Sequence, residues 1–150
     1  MKNNEIVILP LQGIGNLSFG QTIDQITQEL GEADELEQLE EPDFESVVLN
    51  YHSDQFSLFF EGLGISHLAY IQTQNKDAML YGAEVFKLSK KEIVALMAKN
   101  GFTKTDSDKE EGEERLTFEE AMVDFFFEKE KLIAINWGVL LDREGNIEAL

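Results

Sequence analysis

The chain has 150 residues and is 43% hydrophobic, which is enough apolar material to bury one core or two small ones. Its 30 acidic and 12 basic residues give a formal charge of −18, so its field repels nucleic-acid phosphates and anionic membrane surfaces. Because cysteine is absent, disulfides, thiolate metal ligands and cysteine nucleophiles are excluded.

The N-terminal region predicts no export or membrane signal. Residues 1–5 are polar or charged apart from Met1, and the apolar run that follows is shorter than a signal-peptide core. No segment approaches the roughly 20 apolar residues of a membrane helix. We therefore expect a cytoplasmic location and no membrane partner.

The first half opens with a strand and a capped helix. Residues 5–9 are mostly apolar and stop at Pro10, which predicts a strand at a sheet edge because proline cannot donate to a ladder. Thr22 and Gln25 have the spacing of a capping box, so a helix should begin there. Gly31 is placed to end it.

A strongly acidic segment follows the helix. Residues 29–45 contain nine acidic residues and Pro42, and this composition predicts a loop. Three segments of alternating hydrophobicity come next and predict an antiparallel meander. They are residues 46–51, 55–61 and 66–73.

The second half has the same order of features. Ser89 and Glu92 form a second capping box, and an acidic segment at residues 106–114 predicts a second loop. Three more strands are expected, at residues 115–118, 122–128 and 131–137, followed by a turn at 144–146.

The two halves also align with each other at a shift of 67 positions. The identical pairs of this alignment include Gly15/Gly82, Phe19/Phe86, Ile26/Ile93, Phe60/Phe127 and Glu61/Glu128. We predict an α+β protein made of two tandem β-α-β-β-β repeats, residues 1–76 and 77–150, in one pseudo-symmetric domain. Each repeat should pack one helix on one face of an antiparallel sheet.

Strand alternation predicts which sheet face is open to a partner. Odd-numbered positions of the first central strand and even-numbered positions of the second should point away from the helices. Exposed aromatic residues rimmed by polar groups indicate an interface, and this face could equally be buried between the halves or between two subunits. The predicted partner-binding residues are Phe59, Leu68, Tyr70, Asp124, Phe126 and Leu132.

The two acidic loops should lie at pseudo-symmetric places. Their carboxylates would steer a basic protein, although a solvated surface has the same composition. The residues concerned are Glu37, Glu40, Glu41, Glu110, Glu111 and Glu113.

Three local patterns resemble ligand sites but depart from them. The glycines of residues 13–18 lack the third glycine of a dinucleotide fingerprint. The segment 106–110 begins like a calcium loop, but Glu111 stands where glycine is required. His52 and His67 lack zinc-site spacing. We therefore predict no cofactor, no metal site and no catalytic residue.

Residues 19–34 resemble the opening helix of small bacterial modules. Thr22 follows Gly20, and the helix ends in Leu30-Gly31, with Ala33 in place of the usual proline. The modules are those of the small outer-membrane assembly lipoprotein and, in duplicated form, the β-lactamase-inhibitor protein. The resemblance implies a helix followed by a β-meander whose sheet surface binds another protein, and tandem acidic proteins of this kind also resemble immunity proteins.

These observations favour a non-catalytic protein-binding protein of the inhibitor or immunity type. Its partner would be another protein, of basic character, or a second copy of the chain. The alternative is a small-ligand binding protein with a cleft between the repeats.

Overall fold

A computed structural model describes residues 6–40, 45–62, 65–142 and 144–148. Within these ranges the chain forms two sheets and two α-helices, as expected for an α+β protein. The first half contributes β1 (Val7–Leu9), β2 (Gly13–Ile14), β3 (Leu17–Ser18), α1 (Ile23–Leu30), β4 (Glu35–Glu40), β5 (Glu45–Tyr51), β6 (Phe56–Gly62) and β7 (His67–Thr73). The second contributes β8 (Met79–Leu80), β9 (Ala83–Glu84), α2 (Lys90–Lys99), β10 (Asp106–Glu110), β11 (Glu113–Phe118), β12 (Val123–Glu128) and β13 (Lys131–Gly138).

Both predicted capping boxes are present. The Thr22 hydroxyl accepts a hydrogen bond from the Gln25 amide, while Gln25 Oε1 accepts one from the Thr22 amide at 2.9 Å. Ser89 and Glu92 exchange the same pair of bonds at the start of α2. The hydroxyl and the reaching side chain satisfy amide groups that the helix itself leaves unpaired.

The large sheet has eight strands in the order β10-β11-β12-β13-β7-β6-β5-β4. Every neighbouring pair in it is antiparallel, so each half supplies a four-stranded meander. The meanders join where β13 pairs with β7, from Ile135 opposite Thr73 to Gly138 opposite Tyr70. The sheet is therefore continuous across the two halves.

The acidic segments predicted as loops are strands instead. Glu37 and Glu40 lie in β4 and Glu110 lies in β10, while Glu111 is in the turn to β11, which begins at Glu113. Each segment becomes a strand by pairing with its neighbour, β5 or β11, and composition alone does not reveal that pairing. Glu41, the remaining member of the predicted set, lies outside the described residues.

The small sheet has the order β3-β2-β1-β8-β9 and links the two halves. β1 pairs antiparallel with β2 and parallel with β8, so Val7 lies opposite Met79. The prediction that the first strand lies at an edge is wrong, because Pro10 follows β1 and removes no donor from its ladder. The glycine-rich residues 13–18 form a tight hairpin between β2 and β3.

One face of the large sheet packs on both helices and on the small sheet. The core contains the inward side chains of β6 and β12 together with apolar residues from the helices, such as Ile26 and Ile93. Trp137 is buried, and its Nε1 donates a hydrogen bond to the carbonyl of Gly13 at 2.8 Å. Within the described ranges, neither helix has the length and apolarity needed to cross a membrane.

Candidate functional site

A row of polar side chains crosses the whole of the large sheet on the face away from the helices. We call this face the outer face and the row the polar ladder. Its eight members are direct cross-strand partners, so their side chains share one face. In strand order they are Asp106, Thr117, Asp124, Asn136, Gln72, Ser57, Asn50 and Glu35.

Hydrogen bonds fix the ladder at equivalent places in the two halves. The Thr117 hydroxyl donates to Asp124 Oδ1, and the Ser57 hydroxyl donates to Asn50 Oδ1, both at 2.5 Å. At the centre, Asn136 Oδ1 is buried and has no hydrogen-bond partner among the described residues. A buried acceptor without a donor is costly, so this atom marks an incomplete part of the ladder.

An aromatic pair lies beside the ladder in the first half. The rings of Phe59 and Tyr70 stack with centroids 4.1 Å apart and planes 8° apart. Burial, and secondarily the nearby Glu61 carboxylate, raises the pKa of Tyr70 above its ordinary value. Tyr70 lies against Gly138, where a Cβ would come within 2.4 Å of the Tyr70 Cβ, so glycine permits this close approach.

Phe126 occupies the other side of the ladder in the second half. It lies between Arg115 and Ala134, its partners on β11 and β13. The Nη2 atom of Arg115 in turn lies 4.0 Å from Oδ2 of Asp108 in β10. The outer face therefore carries one partly exposed aromatic group on each side of a polar row.

Leu68 and Leu132 do not belong to this face, contrary to the sequence prediction. Both are buried in the core, with 0% and 2% exposure. The register shifts between Phe59 and Phe60 and again between Phe126 and Phe127, so Leu68 lies opposite Phe60 and Leu132 opposite Phe127. The extra residue at each β-bulge reverses the alternation of side chains on β7 and β13.

A pocket opens where the two meanders meet. We call it the junction pocket; its volume is about 420 Å³. Glu61 and Tyr70 line it from the first half, and Met122, Asp124 and residues 136–140 line it from the second. It thus contains Asn136 and lies directly against the aromatic pair.

Carboxylates occupy both ends of the outer face. By their register, Glu35 and Glu37 of β4 share this face at one edge, and Asp106, Asp108 and Glu110 of β10 share it at the other. All five residues are exposed. The predicted acidic residues therefore flank the apolar ones, but as edge strands.

The two histidines lie at opposite ends of the strands and do not form a site together. His52 follows β5 and its Nε2 lies 2.8 Å from Glu35 Oε1, whereas His67 begins β7 at the opposite end of the strands and packs against Gly145. Among the described residues, no group of three or more histidine, cysteine or acidic side chains could hold a metal ion.

Sequence reasoning placed Phe59, Tyr70, Asp124 and Phe126 on the outer face, where the structure has them, and left Asn136 and Gln72 out of the predicted partner-binding set. These two residues become significant only because β13 and β7 pair directly, which places Asn136 opposite Gln72. Their polarity at an alternating position was visible in the sequence. The register between halves was not, since the strands are far apart in the chain.

No protein-family model matches this chain, and no curated protein sequence matches it. A solved structure of an extracellular protein containing a SCP domain, from Bacillus anthracis str. Ames, is similar with a TM-score of 0.47 and 12% identity. The similarity covers 96% of this chain and 50% of that one, so the chain spans about half the length of that protein. A similarity of this size assigns neither a family nor a function.

Proposed function

We propose that this chain is a non-catalytic protein-binding protein of the inhibitor or immunity type, and that its partner binds the outer face. The observation that carries the proposal is an aromatic group on each side of the polar ladder. One group is the stacked pair of Phe59 and Tyr70, and the other is Phe126. None of these three residues belongs to the described hydrophobic core. Aromatic anchors beside polar groups are typical of binding surfaces.

The dimensions of the outer face support a specific interface. Eight strands give seven spacings of about 4.8 Å, so the ladder is about 34 Å long. A standard interface buries about 800 Å² on each partner, which corresponds to a square roughly 28 Å on a side. One partner domain could therefore cover both aromatic groups at once.

Charge favours a basic partner. The net charge is −18, and exposed carboxylates of β4 and β10 lie at both ends of the outer face. Such an arrangement accelerates the approach of a positively charged protein and disfavours acidic ones.

The proposal includes an internal duplication, with residues 1–76 and 77–150 as the two repeats. Gln55 and Met122 support it, because they are 67 positions apart and both have a positive φ, at 57° and 54°. Each donates its amide to the carbonyl three residues earlier, at 3.2 Å. A partner that binds residues of one repeat would then also contact related residues on the other repeat.

The test begins with capture of partners from native lysate at low and then at high salt. The retained protein is identified, purified and titrated against the wild type and the variants Phe59→Ser and Phe126→Ser. Each variant should bind at least about 30-fold more weakly, since truncating an interface anchor costs about 2 kcal/mol or more. Higher salt should weaken wild-type binding.

Val94→Ser provides the matched control, because Val94 is an exposed apolar residue on α2, on the side of the sheet away from the outer face. The affinity of the Val94→Ser variant for the identified partner should equal that of the wild type. Circular dichroism should show that all variants are folded. If the Phe59 and Phe126 variants bind as well as the control, the outer face is not the binding site. A homodimer that these two substitutions dissociate would make the outer face a subunit interface instead.

A second function, the binding of a small ligand, is favoured by the junction pocket. Its volume of about 420 Å³ lies in the range of small-molecule sites, about 300–1,000 Å³, and both halves line it. Mass spectrometry of the protein purified from its native host and then denatured would release such a ligand. A protein that releases no ligand, yet binds a basic protein, supports the first proposal.

A further inference from the structure

The charged side chains among the described residues that line the junction pocket are both acidic. Glu61 and Asp124 contribute carboxylates, and Asn136 contributes an amide. No lysine, arginine or histidine is found among the described residues that line the pocket. Two negative groups around one opening, with no cation among the described residues that line it, favour a positively charged ligand.

Two hydrogen-bonding details make this more than a local excess of charge. Asn136 Oδ1 is buried without a partner among the described residues, so a ligand that donates to it would complete the ladder. Asp124 is held in place by the Thr117 hydroxyl, which donates to its Oδ1. The pocket thus combines an oriented carboxylate with an unsatisfied acceptor.

The aromatic wall selects the shape of the cation. Tyr70 lines the pocket, and its stack on Phe59 holds the ring in one orientation. A guanidinium group is planar, stacks on aromatic rings and offers five donors in fixed directions. It can bond a carboxylate and an amide oxygen together, whereas an ammonium group is a compact, strongly hydrated charge.

We propose that the junction pocket receives the guanidinium group of an arginine side chain of the partner protein. This inference rests on the proposed function, because it identifies the part of the outer face that recognises the basic partner. The arginine stem lies against Met122 and Leu140, and its head contacts Asp124 and Asn136, while the Glu61 carboxylate adds negative charge to the same opening.

The probe is the blocked peptide acetyl-Gly-Arg-Gly-amide, titrated into the intact, ¹⁵N-labelled protein. We expect saturable shifts of the amide signals of residues 61, 70, 122, 124 and 136–140, with a dissociation constant in the millimolar range. The same peptide with citrulline, which keeps the shape but loses the charge, should leave these signals unchanged, and the lysine peptide should bind more weakly. Equal effects of all three peptides, or shifts confined to β4 and β10, would overturn the proposal.

Variants localise the effect. Asp124→Asn, which keeps the Oδ1 acceptor for Thr117, should weaken peptide binding about tenfold, and Glu61→Gln should act in the same direction. Glu37→Gln removes the same charge from the outer face outside the pocket and should change the affinity by less than about twofold. If Glu37→Gln weakens binding as much as Asp124→Asn, the peptide responds to overall charge and the pocket assignment fails.

The two proposals fail in different ways. In one outcome, Phe59→Ser and Phe126→Ser abolish binding of the identified partner, Asp124→Asn retains it, and the peptide does not bind. The outer face is then the interface, and the arginine assignment is wrong. If the peptide binds at the pocket while the two phenylalanine substitutions leave partner binding intact, the proposed interface is wrong and the cation site stands.

Discussion

Two hairpin turns of the second half require residues in the left-handed region. The turn between β10 and β11 uses Glu111 and Gly112, with φ of 48° and 86°, and the turn between β12 and β13 uses Lys129 and Glu130, with φ of 50° and 67°. Positive φ at both central positions matches the twist of a two-residue hairpin, but it strains any residue with a Cβ. The first turn has glycine at its second position, and the other turn has glutamate.

We expect Glu130→Gly to raise the free energy of unfolding by about 0.5–1 kcal/mol, because relief of left-handed strain exceeds the entropy that glycine adds to the unfolded chain. Urea denaturation measures the change, and Glu130→Gln separates it from the loss of one negative charge. The reciprocal substitution Gly112→Ala should be destabilising by about 1 kcal/mol. A Glu130→Gly protein no more stable than Glu130→Gln would show that the turn carries no strain.

At the scale of single elements, the sequence predicted the helix starts and the six alternating strands, because both depend on patterns within one stretch of chain. Both capping boxes were predicted because the cap hydroxyl and its reciprocal side chain are three residues apart. The strand conformation of β4 and β10 was not predicted, since it depends on pairing with β5 and β11. The bulges that bury Leu68 and Leu132 likewise depend on how neighbouring strands meet.

The capping box of α2 should make that helix sensitive to acid. Hydrogen bonds from Ser89, chiefly from its backbone amide, lower the pKa of Glu92 below its ordinary value. Its stabilisation is therefore fully present above the unfolded-state pKa of about 4.3 and is lost as the pH falls through the folded-state pKa.

Glu92→Gln should consequently lower the urea midpoint at pH 7, and its difference from the wild type should shrink as the pH falls below about 4. Gln25 is the corresponding residue of α1, so Gln25→Glu is the matched test in the opposite direction. It should add an acid-dependent contribution that the wild-type helix lacks. A difference between Glu92→Gln and the wild type that stays constant from pH 7 to pH 3 would contradict the assignment.

At the scale of the molecule, the large sheet ends in two open edges, and both are acidic. Among the described residues, β4 and β10 each pair with one neighbouring strand, and their described side chains are exposed. Repeated carboxylates at an unpaired edge prevent another sheet from adding to it. The acidic segments therefore have a structural role in addition to the proposed attraction of a basic partner. Composition indicated the charge of these segments, but only the strand order shows that they form the two edge strands of the large sheet.

The join between the two halves has a consequence for fragment complementation. β7 pairs with β13 and β1 pairs with β8, so each half completes a sheet of the other, while only residues 74–78 connect them. Separate chains of residues 1–76 and 77–150 should each lack stable structure, and should reassemble without a covalent link when mixed. Circular dichroism and size-exclusion chromatography would show β structure and a single 17.0 kDa complex only in the mixture. Fragments that each fold alone would instead show that every half contains a sufficient core.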